Sequence, residues 1–236
     1  IDKKDSANWI SANRTLMNPI IEAAVFENGF EALLNEGLVY DSCQIGVITN
    51  IDPNRHMGRN DIETPKQVFT VFRTQMDIVT PTAAAVSDVE KDIQLPIGTG
   101  ILNAMDEMAT DMAELCHGEI IFFSSEPKSP IIAQHCQNGT GSTQGKRAVI
   151  FQKNTIVLVD GSHEIPLIKI PKISSEFSEK SNIHEIENIL AAVAAAWALG
   201  LEKDLIRMGI ESFGLSQQKV NAGNQDLSIN LQTQGI

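Results

Sequence analysis

Residues 184–200 read HEIENILAAVAAAWALG, and this stretch decides what kind of fold the chain can adopt. A polar start, with His184, Glu187 and Asn188, runs into an alanine-rich apolar stretch that ends on Gly200. Without proline or internal glycine, such a stretch has high helix propensity. It is apolar on nearly every side, so the helix must be buried in a large domain; at this length it cannot span a bilayer. Its first turn is then held at a core edge, where the positive end of the helix dipole faces whatever binds there. His184 and Asn188 lie one turn apart, so both can face the same pocket. The other reading of the segment is a central core helix with an ordinary polar start.

A buried helix needs a sheet or further helices around it, and the preceding residues supply the pattern. Ile20–Phe26 and Ile45–Thr49 are short apolar runs containing β-branched residues, each followed by polar residues. That is the signature of buried strands whose C-terminal ends carry function. Helical stretches fall between or beyond them at Gly29–Gly37, Pro65–Met76 and Met105–Cys116. Further strands are expected at Ile78–Val79, Gly100–Leu102 and Ile120–Phe123. Alternating strands and helices predict parallel βαβ units with helices packed on the sheet.

The character changes after Ser124. Ile131–His135, Ala148–Gln152, Thr155–Asp160 and Glu164–Ile168 read as short strands separated by Gly, Asn and Ser turns, which predicts a small antiparallel β region over about 125–170. Lys172–Asn182 reads as a polar link into the long helix, and Lys203–Phe213 as a second, shorter helix after it. The fold class is therefore α/β: a mainly parallel sheet flanked by helices, with a small antiparallel region, over residues 1–213. The Gln-, Asn-, Ser- and Gly-rich stretch 214–236 is expected to be a flexible polar tail.

With 236 residues the chain can bury one substantial core. A net charge of −12 and a pI near 4.8 argue against nucleic acid or an anionic membrane as a main partner. A polyanionic nucleotide held in one local pocket is not excluded by this. Cys43, Cys116 and Cys136 are odd in number, lack CxxC spacing and lie beside apolar segments, the usage of reduced core thiols in a cytoplasmic protein. Neither a signal peptide nor an apolar run long enough to cross a membrane is present in the sequence. Opening on Ile1 rather than Met, the chain is expected to be processed or part of a longer polypeptide.

Several segments in one order carry a resemblance: LMNP (16–19), EAAVFE (22–27), EGLVYD (36–41), GVITNID (46–52), ETPKQV (63–68), LNA (102–104) with Asp106, MAEL (112–115), EIIFFS (119–124) and the helix at 184–200. In this order they resemble the Mur-ligase-like half of cyanophycin synthetases, which use ATP to make a β-linked aspartate–arginine polymer. The resemblance covers most of residues 11–213. It implies the central domain of a Mur ligase, in incomplete form, and the activation of a carboxylate as an acyl phosphate that an amine then attacks. Thr82–Gly98 is longer than the resemblance leads one to expect and reads as an inserted loop.

That chemistry needs a phosphate cradle, magnesium to neutralise developing charge, and a hold on the nucleotide base. The resemblance puts candidate residues on each task. Glu27 matches the glutamate that opens the family's Glu-Thr-Ala-Arg-Gly-Gly and is implied to face magnesium; here the motif reads Glu27-Asn28-Gly29-Phe30-Glu31-Ala32, without the arginine and the double glycine. A strand-end carboxylate capping the next helix is the alternative. His56 keeps the histidine of an Asp-His-Leu-Gly type ending, while the adjacent acid has become Arg55. Its two readings are a residual metal ligand and a solvated loop side chain. Asn103 and Asp106 match the family's Asn-Ala-Asp-Asp, implied to hold adenine and ribose; Met105 replaces one acid. Asp106 and Glu107 at the start of a helix would equally favour its dipole. His184 and Asn188 complete the nucleotide-facing set.

Two pieces implied by the resemblance have no counterpart in these residues. No G-x-x-x-x-G-K-[ST] phosphate loop occurs anywhere. Gly139–Arg147 imitates one with the wrong glycine spacing and reads as a hairpin or connecting loop. The Rossmann-like domain expected beyond Asp204–Phe213 is not encoded either. ATP and magnesium are thus implied by resemblance only, no catalytic residue stands out, and the chain reads as a ligase module inactive by itself. A degenerate scaffold or oligomerisation domain, or an unrelated small-molecule binding domain on the same frame, are the alternatives. Expected partners are further copies of the chain or the remaining domains of a larger synthetase, since an uncovered apolar helix invites association.

Overall fold

A computed structural model describes residues 9–80, 98–137, 146–170 and 179–213, with side chains left aside for 179–182. The expected tail from 214 on and most of the segments 82–98 and 139–147 lie outside these residues.

The architecture is three layers, helices on both faces of one sheet. Six strands run in sequential order: β1 (Ile45–Ile48), β2 (Thr99–Asn103), β3 (Glu119–Ser124), β4 (Arg147–Gln152), β5 (Thr155–Asp160) and β6 (His163–Lys169). The first four are parallel, and β5 and β6 extend the same sheet antiparallel. The antiparallel region is therefore continuous with the parallel part, through the pairing of β3 with β4.

Strict alternation divides the strand side chains between two cores, as a period of two requires. Leu102, Phe122, Ala148, Ile150, Val157 and Val159 point to one face, and Ile101, Ile121, Phe123, Val149, Ile156 and Leu158 to the other. All of β2 is buried, the pattern of a strand covered on both sides. The first face is covered by α2 (Phe30–Asn35), α4 (Pro65–Asp77), α5 (Glu107–Asp111) and α6 (Pro130–Gln137), through Phe30, Val68, Met76, Ala109 and Ile132. Of two further helices, α1 (Trp9–Leu16) precedes the first strand and α3 (Pro53–His56) lies with α4 in the β1–β2 crossover. Keeping the crossovers on one face follows from a constant hand when each moves one strand further along the sheet.

The second face is covered by the helix that opened the sequence reading, α7 (Glu179–Ala198), through Leu190, Ala191, Val193 and Ala194. It runs antiparallel to β3 and β4: Glu187 meets Ser125 beyond the end of β3, and Trp197 meets Arg147 at the start of β4. A further helix over 203–213, α8, adds Ile206 to the same core. No helix among the described residues is long and apolar enough to cross a membrane.

Several expectations need correction. Ile131–His135 belongs to α6, not to a strand; Pro130 opens the helix, and Ile132 is its buried side chain. The stretch 138–145, outside the described residues, consequently follows a helix and precedes β4 in the chain, rather than falling between two strands of a meander. Ile20–Phe26 joins no sheet: Ile20 is 85% and Val25 96% exposed. Ile78–Val79 contributes only an isolated parallel bridge between Val79 and Cys43. α7 begins at Glu179, inside the expected polar link.

Candidate functional site

Parallel strands end together, and in open α/β sheets the crevice beyond their C-terminal ends is where ligands bind. Here that rim is made by the loop after β1, the turn after β2, the serines after β3 and the first described turns of α7.

Asn103 is the last residue of β2 and only 2% exposed. Its Nδ2 donates to the Thr49 carbonyl at 2.8 Å, and its Oδ1 accepts from the Met105 amide at 2.9 Å. Asp106 caps α5: its Oδ1 accepts from the Ala109 amide at 2.9 Å, while Oδ2 accepts from the Ile51 amide. Both side chains therefore tie the loop after β1 to the turn after β2. This is the helix-start role for Asp106, and it directs both residues toward backbone groups of the protein itself.

The second group lies where β3 meets α7. Ser124 turns the chain by donating its hydroxyl to the Glu126 carbonyl and accepting from the Glu126 amide. Ser125 then donates to Glu187 Oε1 at 3.2 Å. Glu187 Oε2 lies 3.4 Å from His184 Nδ1; the Glu187 side chain is nearly covered, and the His184 side chain is 69% exposed. Asn188 is also exposed. Asn103 and Phe123 are register partners, so the two groups sit on adjacent strand ends. A carboxylate, a hydroxyl, an imidazole and an amide at one rim can accept and donate hydrogen bonds to a polar ligand. Ser125 was not singled out from sequence, and Glu187 was noted only as part of the polar start. The i, i+3 spacing of His184 and Glu187 was the available signal.

The two candidate metal ligands lie on the opposite face and do not converge. Glu27 is exposed on the irregular segment before α2, and the cap position of that helix is Gly29 with no side-chain bond. The His56 ring stacks on Phe30 at 4.1 Å and meets the edge of Phe72 at 5.9 Å. Burial, reinforced by Arg55, lowers its basicity; the acids acting on it are Asp52 and Glu31, and Glu27 is not one of them. Among the described residues no three His, Cys, Asp or Glu side chains are grouped closely enough to hold a metal ion. The three cysteines are free, and burial raises their thiols, Cys43 to about 11.

A cavity of about 640 Å³ opens at the far end of the sheet, between Trp197, Gly200 and Arg207. Two of its three cations are already engaged. Arg147 pairs with Glu119 at 2.9 Å and lies over the Trp197 ring, while Arg207 donates to the Leu167 carbonyl and to Asp204.

No family model matches the chain. Three curated proteins align along nearly all of it. It is 28% identical over 220 residues, 93% of its length, to the cyanophycin synthetase of Synechocystis sp.. It is 29% identical over 214 residues, 90% of its length, to that of Geminocystis herdmanii, and 26% identical over 216 residues, 92%, to that of Crocosphaera subtropica. In each case the aligned part is 22% of the relative, so the chain spans about a fifth of the length of the proteins it matches.

Proposed function

We propose that this chain is the sheet-bearing frame of a ligase module of the cyanophycin-synthetase type, and that by itself it holds ligands or neighbouring domains rather than carrying out ATP-dependent amide-bond formation. The observation that carries the reading is a similarity, along 93% of this chain, to a 22% stretch of a cyanophycin synthetase, in a chain whose nucleotide-facing candidates, Asn103 and Asp106, bond to its own backbone. The reaction joins a carboxylate to an amine through an acyl phosphate, which requires a phosphate cradle and a divalent cation.

The described residues do not fit a magnesium site. Glu27 stands exposed, the His56 ring is packed between Phe30 and Phe72, and no third ligand joins them. Nor do they form a phosphate loop. No chemical step is therefore assigned to these groups. What remains is recognition at the crevice rim, where His184 and Asn188 stand accessible and Glu187 and Ser125 fix the first of them in place.

The degenerate-scaffold reading draws on the same distribution. The cores and strand ends are intact, while two of the positions that differ from the family pattern, Phe30 and Arg55, now serve packing or lower the basicity of a histidine. Exchange of residues 9–213 for the matching stretch of the Synechocystis protein tests the proposal. A folded chimera is expected to lose ATP-dependent polymer formation; one that retains it at a comparable rate would show that this frame still supports the chemistry.

A further inference from the structure

A tight chain reversal closes the end of α7. Gly200, at φ 75°, takes the left-handed conformation. Its amide donates to the Trp197 carbonyl at 3.0 Å, and the Leu201 amide to the Ala196 carbonyl at 3.1 Å. α8 then starts at once, its first bond running from the Ile206 amide to the Glu202 carbonyl. The C-terminal end of α7 and the N-terminal end of α8 are thus held together, and with Ile165 and Pro166 of β6 they line the cavity of about 640 Å³. That volume falls within the roughly 300–1,000 Å³ of small-molecule sites.

The lining divides into an apolar part and a set of donors. Trp197, Ile165, Pro166 and Leu201 supply the first. The donors outnumber their partners. Arg147 gives one N–H to Glu119, and Arg207 gives one each to the Leu167 carbonyl and to Asp204; a guanidinium carries more than these. Lys203 is exposed and has no partner among the described residues. The amides of Lys203, Asp204 and Leu205 have no backbone acceptor among the described residues, and they carry the positive end of the α8 dipole. Against these stand two acids. Asp204 is taken by Arg207 at 2.8 Å, while Glu202 is unpaired among the described residues. The lining therefore has a surplus of positive charge on a chain whose net charge is −12.

We propose that this cavity binds a small organic carboxylate with a flat apolar body. The carboxylate is received by Lys203, Arg207 and the first-turn amides of α8, and the body packs among Trp197, Pro166 and Leu201. A bare inorganic anion would leave the apolar lining uncovered, and a neutral apolar molecule would leave the spare donors unanswered. Arg147 opens β4, so the cavity lies at the opposite end of the parallel strands from the crevice rim. The inference does not depend on the functional reading of that rim.

Titration of the intact chain carrying Trp9→Phe, which leaves Trp197 as its one indole, tests the proposal. The probes are 4-fluorobenzoate, 4-fluorobenzyl alcohol as its neutral match, and inorganic phosphate as the bare anion. Binding is followed by Trp197 emission and, for the first two, by fluorine NMR. The expected result is saturable binding of the benzoate in the millimolar range or tighter, with the alcohol and phosphate weaker by about fivefold or more. Lys203→Glu, at an exposed side chain, is expected to weaken the benzoate by about fivefold or more, and Glu202→Gln to tighten it. Three results would overturn the proposal: no saturation with the benzoate; an alcohol or phosphate that binds as well; or a benzoate affinity that Lys203→Glu leaves unchanged.

Discussion

Asn103 and Asp106 show how a polar residue at a strand end can be structural. Each connects backbone groups some fifty positions apart in the chain, Asn103 to Thr49 and Asp106 to Ile51. Asn103→Ala removes both of its bonds inside a buried site and is expected to lower stability by about 1–3 kcal/mol in denaturant titration. An unchanged midpoint would point back to a ligand-only role. His135 carries a pH dependence. Its ring lies under β3, donates from Nε2 to the Ile120 carbonyl at 3.2 Å, and meets the edge of Phe122 at 4.9 Å. Burial, with Lys146 nearby, holds its pKa at about 4, below the ordinary 6.5. The folded protein thus resists protonation that the unfolded chain accepts. This contribution to stability is complete above about 6.5 and declines as the pH falls toward about 4. Stability curves across that window should fall less steeply for His135→Gln than for the unaltered chain. The residue types at these positions were legible in the sequence; the directions of their hydrogen bonds were not, because the partners come from distant segments.

Among the elements, periodicity succeeded where a run was long or strongly alternating. The strands at 148–152, 155–160 and 164–168 match β4, β5 and β6 to within one residue at each end, and the helix at 65–76 is α4 with a Thr64–Gln67 capping box at its start. It failed on short apolar runs. In Pro130-Ile131-Ile132-Ala133 two adjacent isoleucines imitate a strand, and only the leading proline and the spacing to His135 and Cys136 mark a helix. Ile20–Phe26 has strand chemistry but pairs with no strand among the described residues, and pairing is a property of the partner as much as of the segment. The β4–β5 hairpin turns on Lys153 and Asn154, with φ of 51° and 61°. Two positive φ values mark the mirror-image turn that favours Asn-Gly. The pair Lys153→Asn with Asn154→Gly is therefore expected to stabilise the protein by on the order of 1 kcal/mol, measured as a rise in denaturation midpoint. A fall would mean that the Lys153 side chain contributes elsewhere.

At the scale of the whole molecule, one alanine-rich helix, four parallel strands and an antiparallel extension make a frame with two full cores. The small side chains of α7 let it lie close across β1 to β4, so its first turns and the strand ends form a single rim. That frame was legible because burial on both faces leaves a strong mark in sequence, namely near-continuous apolar strands and a helix apolar almost all round. The site was less legible because its character depends on which polar atoms the fold leaves unengaged. Calorimetric titration of the folded chain with ATP or a non-hydrolysable analogue in excess magnesium addresses the central claim most directly. The account predicts no saturable binding in the micromolar range. Saturable micromolar binding, weakened by His184→Ala or Asn188→Ala at the exposed rim, would contradict it and restore a working nucleotide site to this chain.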